Sequence, residues 1–434
     1  MKVHLKALGC RLNEAELEQW SRSFRASGHD VVAEPSTADV VVVNTCAVTT
    51  DATKKSRKLM NRLHRENPQS KLVVSGCYAT LDSDHVAERI GVDLVVPNQE
   101  KDNLPQHVMD AFSANTMPLV AMEPGESSLF VRSRQRAFIK IQDGCRYRCT
   151  FCIVTIARGD ERSRSLADII DEVNALVEEG IKEIVLTGVH VGGYGSDIDS
   201  SLYDLVKIIL DETDIPRVRF ASVEPWDLPD KFFSLFENSR LMPHMHLPLQ
   251  SGADSVLRRM SRRCKTTEFK DLVEQARRAI PHFNVTSDII VGFPGETDDE
   301  WQQTMEYVES IGFGHLHIFS YSPREGTKAA RLASPIENEI KKQRSRELHA
   351  LADSMKQDML AQQQGLLLDV LWEQAKEDNN GQMVYTGYAP NYLKVETRVS
   401  QPHSEFNHSL KNQITNTKID GFSKENLHLQ GTIL

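Results

Sequence analysis

The sequence predicts an α/β protein in three parts: an N-terminal open parallel-sheet domain, an incomplete (β/α)6 barrel and a small C-terminal all-β barrel. Three observations predict it. Up to about residue 112, short β-rich runs alternate with amphipathic helical runs, the signature of a parallel sheet with crossover helices. Six more β-rich runs then alternate with helical ones between residues 137 and 319. From Leu366 onward the chain is β-rich. At 434 residues the chain exceeds what a single core serves. The expected boundaries are 1–115, 130–364, which includes a helical connector, and 365–434.

In the first part, strands are expected at 3–8, 31–33, 40–43, 72–75 and 94–96. The first helix is expected to start at Asn13 as N-cap with Glu16 three residues on, and to carry Leu17, Trp20 and Phe24 on one face before Gly28 ends it. Cys10, Cys46 and Cys77 each follow a strand. In open α/β sheets ligands bind outside the carboxyl ends of the strands, so three thiols there can converge on one point. Three thiolates suit zinc, and equally an iron–sulfur cluster with one free iron. This part of the sequence does not choose between them.

The second part opens with a strand at 137–141 and then Asp143-Gly-Cys-Arg-Tyr-Arg-Cys-Thr-Phe-Cys152. Cys145, Cys149 and Cys152 are thus spaced C-x-x-x-C-x-x-C around one compact centre. A zinc module would carry a second C-x-x-C or a His pair nearby, and no further cysteine occurs before Cys264. Ferredoxin spacing differs too. Further strands are expected at 183–186, 218–221, 245–247, 285–291 and 315–319, with helices such as 168–179 and 269–280 between them. The active site of such a barrel lies at the carboxyl ends of its strands. There the sequence places Gly188, Ser222, Gln250 and Gly292 in short polar or Gly-rich segments. His244 and His246, and His315 and His317, alternate on two strands and read as satisfied polar residues rather than metal ligands. Cys264, among Arg262, Arg263 and Lys265, would have a lowered pKa if exposed.

Composition narrows the setting. With 40% apolar and 26% charged residues the chain is an ordinary globular protein. Its first residues interleave Lys and His with apolar side chains and lack a signal-like apolar core, and no apolar run is long enough for a membrane span, so a cytoplasmic protein is expected. A net charge of −10 argues against indiscriminate coating of polyanions. Local basic runs stand out against it. Residues 54–65 carry six Lys or Arg and no acid, Arg132, Arg134 and Arg136 recur every second position, and residues 258–265 carry five. Singly, such runs are often solvated faces; together, beside candidate site segments, they point to nucleic acid.

The C-x-x-x-C-x-aromatic-C loop, with Phe151 in the aromatic position, resembles the defining element of the radical S-adenosylmethionine superfamily. That resemblance implies a [4Fe-4S] cluster on Cys145, Cys149 and Cys152 whose free iron chelates S-adenosylmethionine and whose electron yields a 5′-deoxyadenosyl radical. Joined to Leu8-Gly-Cys-Arg-Leu-Asn13, Asn44-Thr-Cys-Ala-Val48, Ser75-Gly-Cys77, Arg158-Gly159, Arg162-Ser-Arg164, His246-Leu-Pro-Leu-Gln-Ser-Gly252 and Asp288-Ile-Ile-Val-Gly-Phe-Pro-Gly-Glu-Thr297, the loop resembles the methylthiotransferases over nearly the whole chain. The resemblance implies a second [4Fe-4S] cluster on Cys10, Cys46 and Cys77 that handles sulfur. All six cysteines are then catalytic as well as metal ligands.

It further implies S-adenosylmethionine contacts at Phe151, Gly188, Ser222, Gln250, Asp288 and Gly292. The partners implied are tRNA, an electron donor and a sulfur source. The spellings Gly-Cys-Arg-Leu-Asn and Asn-Thr-Cys-Ala-Val-Thr look most like the type acting on N6-threonylcarbamoyladenosine at tRNA position 37, beside the anticodon, at C2 of the base. Isopentenyladenosine and a ribosomal-protein aspartate are the family's other targets. The final part resembles the TRAM domain, an RNA-binding barrel, in which Tyr385, Tyr388 and Tyr392 stack on bases or fill a core. A non-catalytic RNA-binding electron carrier is the contrasting class; it would need neither an iron with an open position nor a barrel mouth.

Overall fold

The structure, a computed structural model, describes residues 1–88, 91–112, 135–229, 231–379, 381–399 and 409–434. Arg132 and Arg134 lie outside these residues. The chain falls into two compact units. The first is Met1–Arg132 with Asp143–Arg162 and Ser322–Ala330; the second is Ser133–Gln142, Ser163–Tyr321 and Arg331–Leu434.

The first unit holds an all-parallel sheet of β1 (Lys2–Ala7), β2 (Asp30–Val31), β3 (Val40–Thr45), β4 (Lys71–Gly76) and β5 (Leu94–Val96), in the order β2-β1-β3-β4-β5. The β3 run Val-Val-Val-Val is buried on both faces, as a central parallel strand requires. Helices α1 (Arg11–Ala26) and α2 (Thr50–Glu66) return the chain between strands. On α1, Trp20 and Phe24 bury one stripe. The helix starts two residues before the expected cap: Cys10 is the N-cap, and Asn13 lies inside the first turn. Asn13 is withdrawn from capping because its side chain binds the neighbouring strand ends instead. On α2, Thr49 caps the helix by accepting from Ala52 N at 3.1 Å.

The second unit holds six parallel strands: β6 (Arg136–Lys140), β7 (Glu183–Thr187), β8 (Arg217–Phe220), β9 (His244–His246), β10 (Asn284–Val291) and β11 (His315–Ser320). They pair as β8-β7-β6 and β9-β10-β11, and a parallel bridge from Val218 to Leu241 links the two sets. This is the incomplete (β/α)6 barrel. Outward residues such as Ile139, Ile184, Val218, Val285 and Ile289 join one apolar core with the surrounding helices. Inward positions include Lys140, Glu183, Arg219, His246, Asp288 and His317 as well as Phe138 and Val185, in keeping with an interior that holds more than packed aliphatic layers.

Helix Asn338–Ala361 leads to the closed C-terminal barrel of β12 (Leu367–Glu377), β13 (Met383–Tyr388), β14 (Lys394–Val399), β15 (Ile414–Ser423) and β16 (His428–Ile433), in the order β12-β13-β14-β16-β15. The sequence marks this region only as β-rich, and β15 and β16 are the strands hardest to read from it. In β15 the buried alternation rests on Thr417 and Ile419 amid Asn, Lys and Asp, too weak an apolar pattern to stand out.

Candidate active site

In the first unit, β1, β3 and β4 are neighbours, and their register sets Ala7 opposite Asn44, and Asn44 opposite Ser75. Their carboxyl ends therefore line up, and Cys10, Cys46 and Cys77 follow within a few residues. All three are free thiols; Cys46 and Cys77 are buried and Cys10 is exposed. A Cβ built on Gly9 would lie 2.7 Å from Cys46 Sγ, so the Cys10 loop rests on the Cys46 thiol. Burial pushes the Cys46 thiol up to about 11, Cys10 and Cys77 push the same way, and Arg158 opposes. Three soft ligands within electrostatic reach of one another fit a metal or cluster site, whose loading would displace their protons.

Side-chain amides lock the three loops together. Asn13 Nδ2 donates to Leu8 O (2.6 Å) and Thr45 O (3.3 Å), and Asn13 Oδ1 faces Cys10 Sγ at 3.7 Å. Thr45 Oγ1 donates to Ser75 O at 2.5 Å. Asn98 Nδ2 points at Cys77 Sγ, 3.8 Å away.

Behind the thiols lies a buried charge set that the sequence reading missed. Lys101 Nζ meets Glu16 Oε2 at 2.7 Å, and Arg158 meets Glu16 Oε1 and Asp143 Oδ1, each at 2.9 Å. Every one of these side chains is 1–3% exposed. Glu16, expected as a capping partner, is instead the bridge between the two cations. Glu16 and Arg158 lie 142 residues apart, so no local pattern could have paired them.

The Cys145–Cys152 loop belongs to this same unit. Gly144 turns with φ +70, a left-handed conformation that favours glycine, and a Cβ there would lie 1.9 Å from Asp160 O. Cys145 N donates to Gly159 O and Cys152 N to Cys149 O, both at 3.1 Å. Ala329 N holds Thr150 O at 2.8 Å. Cys145, Cys149 and Cys152 are all half-buried, as is Phe151. Three half-buried thiols on one short loop fit the ligand count of a cluster that leaves one iron open.

In the second unit, Gly188 follows β7, Ser222 follows β8, Gln250 lies beyond β9, Asp288 sits within β10 and Gly292 follows it. The Gln142 side chain lies against Gly188, and its Oε1 accepts from Val189 N (3.0 Å) and His190 N (2.9 Å). Gln250 is held at φ +81, uncommon for a side-chain-bearing residue, by bonds to the residues flanking Ile289 on β10: its N donates to Asp288 O, and its O accepts from Ile290 N. His246 Nε2 lies 3.2 Å from Asp288 Oδ1 while its Nδ1 faces Thr286 Oγ1 at 2.9 Å. Ligand atoms of His246, Asp288 and His317 fall within 4.8 Å of one another, so two of the histidines expected as satisfied polar residues form a cluster with Asp288. Nearby, His190 Nε2 meets Asp227 Oδ2 at 2.6 Å, and burial raises the Glu224 carboxyl against the pull of His190 and Arg262.

The opposite end of the barrel is closed by charge and aromatic rings. Glu183 bonds Arg219 (3.0 Å), with Arg136 and Arg217 close by. Burial raises the Glu183 carboxyl, but the three arginines win and hold it below its ordinary value. Tyr388 and Tyr392 stack on each other, Arg136 lies over Tyr388 and Arg219 over Tyr392, while Tyr385 is in the C-terminal core. Tyr385 thus fills a core, whereas Tyr388 and Tyr392 are half-buried. Cys264 does not meet the condition of exposure: it is 8% exposed, and burial with Glu268 pushes its thiol up to about 12 despite Arg262.

Comparison with known proteins agrees with this architecture. Residues 139–308 match the Radical SAM superfamily and residues 2–97 match the Uncharacterized protein family UPF0004. The threonylcarbamoyladenosine tRNA methylthiotransferase MtaB of Bacillus subtilis is 36% identical over 408 residues, covering 91% of this chain and 89% of that one. A tRNA-2-methylthio-N(6)-dimethylallyladenosine synthase of Staphylococcus epidermidis is 34% identical over 402 residues, covering 88% and 77%. Among solved structures, the radical S-adenosylmethionine methyltransferase TsrM of Kitasatospora setae has a similar fold, with a TM-score of 0.58 at 15% identity over 76% of this chain and 77% of that one. No helix among the described residues is long and apolar enough to cross a membrane. With thiols at three strand ends, a cysteine loop and a parallel-stranded barrel in one chain, and relatives of this identity over most of its length, the chain belongs to the radical S-adenosylmethionine methylthiotransferases, enzymes that use S-adenosylmethionine and [4Fe-4S] clusters.

Proposed function

We propose that the chain transfers a methylthio group to C2 of N6-threonylcarbamoyladenosine at position 37 of tRNA. The observation that carries this reading is the presence of two separate thiol triads in one compact unit, one at three strand ends and one on a loop. When bound, the two clusters and S-adenosylmethionine supply the electron, the radical, the sulfur and the methyl group. The target C–H bond has no useful acidity, so a general base could not do this work.

The chain's own residues bind and orient. Cys145, Cys149 and Cys152, with Phe151 beside them, hold the radical-generating cluster, and Cys10, Cys46 and Cys77 hold the auxiliary one. Gly188, Ser222, Gln250, Asp288 and Gly292 hold S-adenosylmethionine. Residues 1–115 carry the auxiliary site, 130–364 the barrel with its connector, and 365–434 an RNA-binding β domain. On α2, Lys54, Lys55, Arg57, Lys58, Arg62 and Arg65 are all exposed, a row suited to tRNA phosphates. An external electron donor and a sulfur source complete the reaction, in the cytoplasm where tRNA is modified.

The substrate follows from the Gly-Cys-Arg-Leu-Asn spelling and from the Bacillus subtilis relative's named substrate. The experiment is mass spectrometry of nucleosides from total tRNA of cells with and without the gene. Loss of the 2-methylthio nucleoside with accumulation of N6-threonylcarbamoyladenosine is expected. Accumulation of the isopentenyl precursor, or an unchanged nucleoside profile, would overturn the assignment, and the latter would direct attention to a ribosomal protein.

A further inference from the structure

Arg158 is the one buried cation that reaches both thiol sets among the contacts described. Its guanidinium bonds Glu16 Oε1, Asp143 Oδ1 and Asn13 Oδ1, each at 2.9 Å. Glu16 and Asn13 lie on α1 directly after Cys10, and Asp143 directly precedes Gly144-Cys145. The flanking residues extend the span. Gly159 O accepts from Cys145 N, and Ala157 O accepts from Asn98 Nδ2 at 2.8 Å, the same amide that points at Cys77 Sγ. Glu16 Oε2 in turn accepts from Asn44 Nδ2 at 2.8 Å, two residues before Cys46. Residues 157–159 are thus tied, directly or through one side chain, to every thiol-bearing loop of the unit.

A buried ion pair is by itself weak evidence for anything beyond structure. Two features go further. The planar guanidinium serves three acceptors on two segments at once, which a lysine ammonium in the same place could not match in geometry. Arg158 also shares Asn13 Oδ1 with a thiol of the strand-end site, because the same oxygen faces Cys10 Sγ at 3.7 Å.

We propose that Arg158 is a positioning residue that fixes the Cys10, Cys46, Cys77 site relative to the Cys145 loop and so couples adenosylmethionine cleavage to sulfur transfer. The proposal rests on the reading that both triads hold clusters.

The test uses the full chain, reconstituted with iron and sulfide, reduced with dithionite and given S-adenosylmethionine and unthiolated tRNA. Arg158→Lys, Arg158→Gln and Cys46→Ala are compared with the parent for iron per chain, 5′-deoxyadenosine, methylthiolated nucleoside and electron paramagnetic resonance of the reduced clusters. Arg158→Lys is expected to keep the parent's iron and its 5′-deoxyadenosine yield. Its methylthio product per 5′-deoxyadenosine should fall at least about tenfold, the scale of effect expected from a small misplacement of reacting groups. The signal missing from Cys46→Ala should be altered and the remaining signal unchanged. An unchanged product ratio with unchanged spectra would overturn the proposal. Iron falling to the Cys46→Ala level in both Arg158 variants would also overturn it, leaving Arg158 a scaffold residue. Parent-level iron and sulfur insertion in Cys46→Ala would instead sink the reading of the thiol site, whatever Arg158 does.

Discussion

The two thiol triads of the first unit are built by opposite means. Cys145, Cys149 and Cys152 are brought together by a loop of a few residues, turned by Gly144 and pinned by backbone bonds from Cys145 N to Gly159 O, from Cys152 N to Cys149 O and from Ala329 N to Thr150 O. Cys10, Cys46 and Cys77 are brought together by the register of three parallel strands, and their geometry is held by buried side chains: Asn13, Thr45, Asn98 and the Glu16–Lys101–Arg158–Asp143 set. A loop site depends on its own few residues, whereas a strand-end site depends on the whole sheet. The difference makes the two sites separable by mutation.

The largest effects come from the ligands themselves. Cys145→Ala is expected to abolish 5′-deoxyadenosine formation, while Cys46→Ala retains it and forms no methylthiolated nucleoside; each should lose about half of the iron if each triad holds one cluster. Equal loss of cleavage in both variants would break the comparison.

Nearly as severe are the glycines before the ligands. Gly76 sits at φ +94, and a Cβ there would lie 2.3 Å from Thr45 O; at Gly144 the added atom would meet Asp160 O at 1.9 Å. Both obstacles are backbone, so neither can swing aside. Gly76→Ala should therefore lower iron in the auxiliary site alone and Gly144→Ala in the radical site alone, read by which resonance signal disappears.

The contrast also explains what was legible in the sequence. A loop site is written locally, so its spacing could be read directly. The strand-end site was legible because the period of a parallel sheet predicts where each carboxyl end falls, and all three cysteines fall there. Its supporting charges were not legible. Glu16 sits where a capping box would put it, and only the fold reveals that Lys101 and Arg158 claim it. Likewise the sequence leaves the exposure of Cys264 open and the structure buries it, and only strand pairing sets Asp288 opposite His317. The six-strand barrel was readable from its alternating elements, but β15 was hidden because a threonine fills one of its buried positions.

A smaller effect is expected on RNA binding. Because α2 leaves the Cys46 loop directly, the proposed tRNA contacts of its exposed basic row would fall on the strand-end side of the comparison. Lys54→Glu combined with Lys58→Glu should weaken tRNA binding by about tenfold or more and lower the salt slope by about 2, since each lost phosphate contact removes about 0.9. Iron content should not change. An unaltered salt slope would remove α2 from the interface.

The finest test compares one polar contact in each site. Asn13→Ala removes donors from Leu8 O and Thr45 O in a buried setting, and the side chain is only 1% exposed. Leaving buried acceptors unpaired costs about 1–3 kcal/mol, which denaturant unfolding of the metal-free protein would register. Arg148→Ala removes an ion pair with Asp160 at 3.2 Å whose partners are 62% and 84% exposed, worth about 0–1 kcal/mol and screened by salt. If the strand-end site is held by buried polar contacts and the loop site by its backbone, Asn13→Ala must be the costlier change, and raising the salt concentration must leave its cost intact. Equal costs would mean that the amide network follows the sheet rather than fixing the thiol loops, and the side-chain half of the comparison would fail.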